Sequence, residues 1–293
     1  GDTKRTMYAM AFSSVLNAVL DPILIYWAGL GIAGAAVATV ISIVSVTLII
    51  LYWFLVKKDT YLSITMKGFV PDRSVTRDIL GVGLPASVEY LLMSTLSIII
   101  NAILVIVAGT DAVAVYTSGW RLLMFAVVPE IAIATTLISV VGAAYGARKY
   151  RNLALAHGYA IRLGIMIAAV MAVLIFVFAG QIALLFTYSE TTAYLTPRIA
   201  SFLRVISLLL VFMPAGMLSL SVFQGTGRGF TSLVINLFRG LAFVVVFVVL
   251  FGIVLGYGET GVWIGIVLGN ILGSAIAYFW AGMYIRRLKG LEG

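Results

Sequence analysis

The sequence predicts an all-α integral membrane protein with eight transmembrane helices. Three observations carry that prediction. Of its 293 residues, 62% are hydrophobic and 10% charged, against about 45–50% and about 25% in soluble domains. The apolar residues fall into windows of about 20 residues or more, each long enough for a hydrocarbon core of about 30 Å. The basic residues gather in alternate loops, as membrane orientation requires. The absence of cysteine excludes disulfides, thiolate metal sites and cysteine nucleophiles, and a single histidine leaves little for imidazole-based metal chemistry. No nucleic-acid partner is implied by the net charge of +8, because the basic residues are placed by topology rather than along one face.

The first window, 7–27, and the second, 32–56, are joined by the short break Ala28-Gly29-Leu30-Gly31. Helical spacing aligns Ser13, Asn17 and Asp21 in one polar stripe. Asp21 falls at membrane depth, where an ionised carboxylate costs roughly 2.5–3.5 kcal/mol on insertion scales, so it is expected to face protein, water or a cation. Pro22 removes one helical N–H and leaves the carbonyl of Ala18 free, a second oxygen near the Asn17 amide. Oxygen ligands suit a hard cation such as sodium, and a carboxylate held out of water can alternatively take up a proton. The plain alternative is a packing carboxylate at a kink.

Lys57 to Asp78 is the longest polar interval and reads as a connector with an interfacial amphipathic turn before Pro71. It divides the chain into residues 1–56, the connector 57–77, and residues 78–293. The remaining windows are 78–108, 112–144, 155–186, 195–224, 230–256 and 260–285. Lys4 and Arg5 precede the first helix. Five basic residues from Lys57 to Arg77, then Arg148, Lys149 and Arg151, then Arg228, and finally Arg286, Arg287 and Lys289 occupy the same side. The opposite loops offer Arg198 beside Asp111, Glu190 and Glu259. Both ends of the chain are therefore expected on the cytoplasmic face of a multi-pass protein, in the plasma membrane.

Glu89 and Glu130 lie near the midplane of the third and fourth helices and are candidate proton or substrate sites, unless Arg121, Arg204 or Arg239 pairs with one of them structurally. His157, at the start of the fifth helix, reads as an interfacial side chain. Tyr8, Tyr26, Trp27, Tyr52, Trp53, Tyr278 and Trp280 read as aromatic belts. Met93, Met124, Met213 and Met217 either pack or line an adaptable pocket. Gly225-Thr-Gly227-Arg-Gly229 lacks the lysine of a phosphate-binding loop and reads as a tight turn. Gly31-Ile-Ala-Gly34 after the first helix is echoed by Gly258-Glu-Thr-Gly261 after the seventh, which implies a parallel repeat.

Taken in order, these residues resemble the multidrug and toxic compound extrusion (MATE) family. The carriers of the resemblance are Asn17-x-x-Leu20-Asp21-Pro22 with Gly31-x-x-Gly34-Ala35-Ala36-x-Ala38-Thr39, then Gly83-Leu84-Pro85 and Gly142-x-x-Tyr145-Gly146-Ala147-Arg148, then Phe223-Gln224-Gly225-Thr226-Gly227-Arg228 and Gly261-Val262-Trp263. The resemblance implies a twelve-helix, two-lobe transporter with a parallel pseudo-two-fold repeat. This chain would supply the last two helices of the amino-terminal lobe and the six of the carboxy-terminal lobe, the first four helices lying outside it. It implies a cation site of Asn17, Asp21 and Thr39, completed in archaeal members by an aspartate of the first helix. In the other lobe Glu89 matches one family acid, while the helix that carries the second, from Phe202 to Phe223, has none. The implied activity is efflux of organic, cationic drugs or metabolites by alternating access, coupled to sodium or protons. It needs no cofactor and no enzymatic chemistry, and a monomer is expected at full length. A flippase for lipid-linked oligosaccharide or polysaccharide precursors, from the same superfamily, is the alternative; it would show a basic cavity.

Overall fold

The structure is a computed structural model that describes residues 3–57, 72–185, 187–188 and 192–291. Most of the connector, including the turn expected before Pro71, and the acid Glu190 lie outside the described residues. Eight helices long and apolar enough to cross a membrane are present: α1 (Lys4–Trp27), α2 (Gly31–Lys57), α3 (Arg73–Ala108), α4 (Thr110–Gly146), α5 (Tyr150–Val177), α6 (Ala193–Gly225), α7 (Gly229–Val254) and α8 (Gly258–Lys289). The expectation of eight spans is met, and no strand occurs among the described residues. The chain forms two compact units, Gly1–Pro71 and Asp72–Gly293.

The second unit begins a few residues before the expected window. Asp72 takes an extended backbone and its side chain accepts from the amide of Ser74 at 2.7 Å, capping α3. Residues 73–77, expected in the connector, are therefore the first turn of a helix. Within this unit α6 packs against α4, α5 and α8. Its buried residues, among them Phe202, Leu203, Ile206, Leu209 and Leu210, lie on more than one face, as a helix surrounded by others requires. Tyr116 stacks on Trp263 with centroids 6.0 Å apart, and Phe202 meets the same indole edge-on at 4.7 Å. At the opposite end Phe223 stacks on Tyr284 at 5.3 Å. Arg198 of α6 donates from both Nε and a terminal nitrogen to Glu259 in the first turn of α8 and lies 3.6 Å from Asp111 in the first turn of α4. One cation thus ties three helix starts, and its acids sit where helix dipoles favour them.

The echo seen in the sequence is a repeat of backbone geometry. In the first unit the π-helical turn Ile23–Trp27 closes α1, Ala28 N–H donates to Ile23 at 2.9 Å, and Leu30 N–H to Leu24 at 3.1 Å. In the second the π-helical turn Val249–Val254 closes α7, with Leu255 donating to Leu250 at 2.8 Å and Tyr257 to Phe251 at 3.1 Å. Gly29 and Gly31 have φ of +66° and +53°, and Gly256 and Gly258 have +70° and +58°, a region costly for any residue with a Cβ. Each pair is related by one constant offset. The glycine four residues after each Leu30 or Tyr257 position is also forced: a Cβ on Gly34 would stand 2.6 Å from the Leu24 carbonyl oxygen, and one on Gly261 would stand 2.6 Å from the Phe251 carbonyl carbon. Small residues continue down the seam at every fourth position. Gly265 and Gly269 would bring a Cβ within 2.6 Å of the Cα atoms of Val248 and Val244, and the same register in α2 holds Ala38 and Ser42, both buried. Close backbone approach across small side chains is how helices associate in lipid.

Candidate functional site

In the first unit, α1 brings Asn17 and Asp21 together. The Asn17 amide donates to a carboxylate oxygen of Asp21 at 3.4 Å across one helical turn, and both side chains are half-buried. Pro22, without an N–H, stands at the junction between the α-helix and the π-helical turn, so the polar pair sits beside a break in the helical ladder. Ser13 donates instead to the carbonyl of Ser42 on α2 at 2.9 Å, which stitches the hairpin. Thr39 is exposed and its hydroxyl donates back to Ala35 at 2.9 Å. No hydrogen bond joins it to Asn17 or Asp21 among the described residues. The pair offers a carboxylate and an amide oxygen on one face, a donor set that suits a hard monovalent cation or a proton.

The repeat supplies a control within the same chain. Counted through the matched turns, Asn17 corresponds to Val244 and Asp21 to Val248. Both valines are 0% exposed, packed against the glycine seam of α8. The hairpin therefore forms with two valines at these positions, and its geometry does not require an amide and a carboxylate there.

The second unit holds its own polar cluster. Glu89 of α3 accepts from the hydroxyl of Ser232 at 2.8 Å through one oxygen and from the amide of Gln224 at 3.2 Å through the other. Gln224 also donates to Ser232 at 3.3 Å, so three helices close a small network around the carboxylate. Glu130 of α4 is 0% exposed, and neither of its oxygens has a hydrogen-bond partner. No ion pair joins Arg239 of α7 to either glutamate among the described residues. Arg239 donates to the side-chain oxygen of Asn236 at 3.1 Å, while its Nε is buried and unpartnered. Gly216 and Gly273 leave the space its side chain fills: a Cβ on Gly216 would stand 3.0 Å from its Cδ. Arg121 and Arg204, the other candidate partners, are exposed. Arg121 and Glu130 point different ways, as their spacing of nine residues on one helix implies.

Gln224 and Ser232 were not singled out for this role from the sequence. Gln224 belongs to the motif read as the end of a helix, and nothing local marks a serine of α7 as the partner of an acid on α3. His157 corrects an expectation: it is buried, its Nε2 lies 3.3 Å from the hydroxyl of Ser219, and its ring stacks on Tyr278 at 6.2 Å. α5 presents that face to α6, and position near a helix start says nothing about facing. Met213 and Met217 pack against the apolar core, whereas Met93 and Met124 are exposed. Gly227, at φ +78°, makes the tight turn expected between α6 and α7. No cluster of three or more histidine or acidic residues able to hold a metal occurs among the described residues.

A multi-pass helical protein built on a repeated hairpin, with acids held inside its spans, has the architecture of a secondary membrane transporter. The chain belongs to the MatE family, whose model matches residues 85–257. It is 26% identical over 257 residues to the multidrug export protein MepA of Staphylococcus aureus, a match that covers 88% of this chain and 55% of that one. MepA of Staphylococcus haemolyticus is 26% identical over 274 residues, covering 94% and 59%. Among solved structures, an outward-facing multidrug resistance MATE family transporter of the MOP superfamily matches with a TM-score of 0.96 at 44% identity, over 99% of this chain and 64% of that one. A MOP superfamily transporter from Pyrococcus furiosus Vc1 matches equally, with the same score, identity and coverage. MATE in complex with MaL6 follows at 0.96 and 43%, again over 99% and 64%. The chain spans about half the length of the curated relatives it matches.

Proposed function

We propose that the protein exports organic, cationic compounds across the plasma membrane by alternating access, driven by sodium or protons that load at Asp21 and Asn17. The observation that carries this reading is the comparison of the two hairpins. One copy folds with Val244 and Val248 where the other keeps an amide and a carboxylate. A carboxylate retained at membrane depth without a folding role is a functional group by default. In this reading residues 1–56 are the last two helices of an amino-terminal lobe, residues 57–77 the connector, and residues 78–293 the carboxy-terminal lobe. Because the valines are fully buried in their six-helix unit, Asn17 and Asp21 would face the interior of a complete lobe of the same kind, with Thr39 available from α2. Both chain ends lie on the cytoplasmic face, and the full-length protein acts as a monomer.

Coupling works only if the cation binds one conformation better than the other. Expelling a monovalent cation against about 100 mV costs roughly 2.3 kcal/mol and a tenfold concentration rise about 1.4 kcal/mol more. One inward charge returns only about 2.3 kcal/mol from the potential. A chemical gradient or a second coupling ion must supply the rest, and Glu89 and Glu130 are the groups available for a second ion in the carboxy-terminal lobe.

Counterflow of a labelled organic cation by the full-length protein in liposomes, with sodium and pH gradients imposed separately, tests the reading. One gradient should drive uptake, and Asp21→Asn should abolish that dependence. Gradient-independent transport by both proteins would refute it. A second reading, export of an anionic compound, draws on the P. furiosus relative, which is described by a reverse polarity of binding pocket that suggests a different function. The exposed Arg121 and Arg204 are the residues it would use, and uptake of an anionic substrate in the same assay would favour it.

A further inference from the structure

A cleft of about 330 Å³ lies between α5 and α8, on the flank of the six-helix unit. Its walls carry Arg162 from α5 and Arg286 and Lys289 from α8. All three are exposed, and none has an acidic partner among the described residues. Its floor is the His157–Tyr278 stack. Two further lining residues are Gly158 and Gly282, and a Cβ added to either would meet nothing within 4 Å. Glycine in the middle of a helix costs stability. At Gly265 and Gly269 it is needed for close packing, since a Cβ there would strike backbone at 2.6 Å. At Gly158 and Gly282, as at Gly81, Gly83, Gly146 and Gly180, a Cβ would meet open space, and at the first two that space is the cleft.

Basic residues at the end of α8 would by themselves be explained by the helix dipole. That explanation does not reach Arg162, which projects from a different helix, nor the two glycines. Arg162 also marks the border of hydrocarbon, since the residues from Leu163 to Val177 carry no charge. Alongside the cleft α8 exposes Phe279 and Met283, an apolar strip that lies against acyl chains when the helix is in a bilayer.

We propose that this cleft binds the phosphate-bearing headgroup of an anionic phospholipid, with its acyl chains along Phe279 and Met283. Three cations without an acidic partner among the described residues, set around the cleft and bounded by an apolar membrane-facing strip, match a phosphodiester joined to hydrocarbon. Basic pockets between membrane helices recognise lipid headgroups by this chemistry. The site is built without Asn17 or Asp21.

The test is native mass spectrometry of the full-length protein released from mixed micelles of phosphatidylglycerol and phosphatidylcholine, with thermal unfolding of each variant as a folding control. The wild type should retain phosphatidylglycerol at least tenfold over phosphatidylcholine. Replacing Arg162, Arg286 and Lys289 together with glutamine should remove that preference. Gly282→Leu, which fills the cleft without changing charge and has room to fold, should do the same. Glycerol 3-phosphate at matched concentration should not displace the lipid. Equal retention of the two lipids, an unchanged preference in the Gly282→Leu variant, or displacement by glycerol 3-phosphate would each overturn the proposal.

Discussion

Replacing Asp21 with valine asks the protein to use in its first hairpin the residue it already uses in its second. On insertion scales an aspartate at a helix centre costs about 2.5–3.5 kcal/mol and a valine returns a few tenths, so the exchange relieves about 3 kcal/mol at full depth. Asp21 is half-buried, lies two residues before a π-helical turn and holds one 3.4 Å hydrogen bond from Asn17. Losing that bond takes back roughly 0.6 kcal/mol on the scale of intramembrane pairs. The expected outcome for Asp21→Val in the full-length protein is a thermal transition in detergent no lower than that of the wild type. The second expectation concerns cations. If Asp21 binds one, saturating the wild type to a hundred times its dissociation constant adds about 2.7 kcal/mol, several degrees in the transition, and the valine variant shows no such shift. The assay is differential scanning fluorimetry across a sodium series and, separately, a pH series. A valine variant that unfolds far earlier than the wild type would make Asp21 a folding residue. One that keeps the full cation-dependent shift would place the ion elsewhere. Either result refutes the argument from the repeat.

In the second unit, Arg239→Met removes the hydrogen bond to Asn236 together with a cation that makes no ion pair to Glu89 or Glu130 among the described residues, and should destabilise by about 1.5–3 kcal/mol, the range for a hydrogen bond to a charged group; chemical denaturation reads it. Gly265→Leu pushes a side chain into the backbone of α7 at Val248 and should cost at least about 1–3 kcal/mol, visible as loss of folded material on size exclusion. Arg198→Ala removes the contacts to Glu259 and Asp111, but the site is partly exposed, so the loss should stay near 1 kcal/mol or below.

Most of the architecture was legible before the structure because hydropathy and span length are properties of single segments. The eight windows, the tight turn at Gly227 and the glycines after α1 and α7 follow from composition and local backbone demands. The repeat was visible as two short glycine motifs, but its content was not. That both hairpins close through a π-helical turn depends on how the last residues of α1 and α7 share their carbonyls, which no residue type announces. The consequence of the repeat, that Val244 and Val248 stand where Asn17 and Asp21 stand, needs only counting once the turns are matched. Contacts between distant segments were less accessible. Glu89 meets Gln224 and Ser232 from α6 and α7, and Glu130 is enclosed without a hydrogen bond. Nothing in their own windows distinguishes the two acids. For His157 helical position fixes depth better than facing, and the packing of α5 on α6 turns it inward. Arg198 shows the reverse case, since it was the basic residue expected among acids on its side and it pairs with two of them.

The most direct measurement exploits the reciprocity of coupled binding, by which a cation that drives substrate must itself be driven by substrate. Full-length protein in sealed liposomes, loaded with an organic cation and diluted into buffer free of it, should move labelled sodium or protons in the opposite direction at a rate that follows the substrate gradient. The Asp21→Asn protein should move neither. Substrate flux with no accompanying ion movement, or ion movement that persists unchanged in the Asp21→Asn protein, would contradict the assignment of Asp21 as the coupling group.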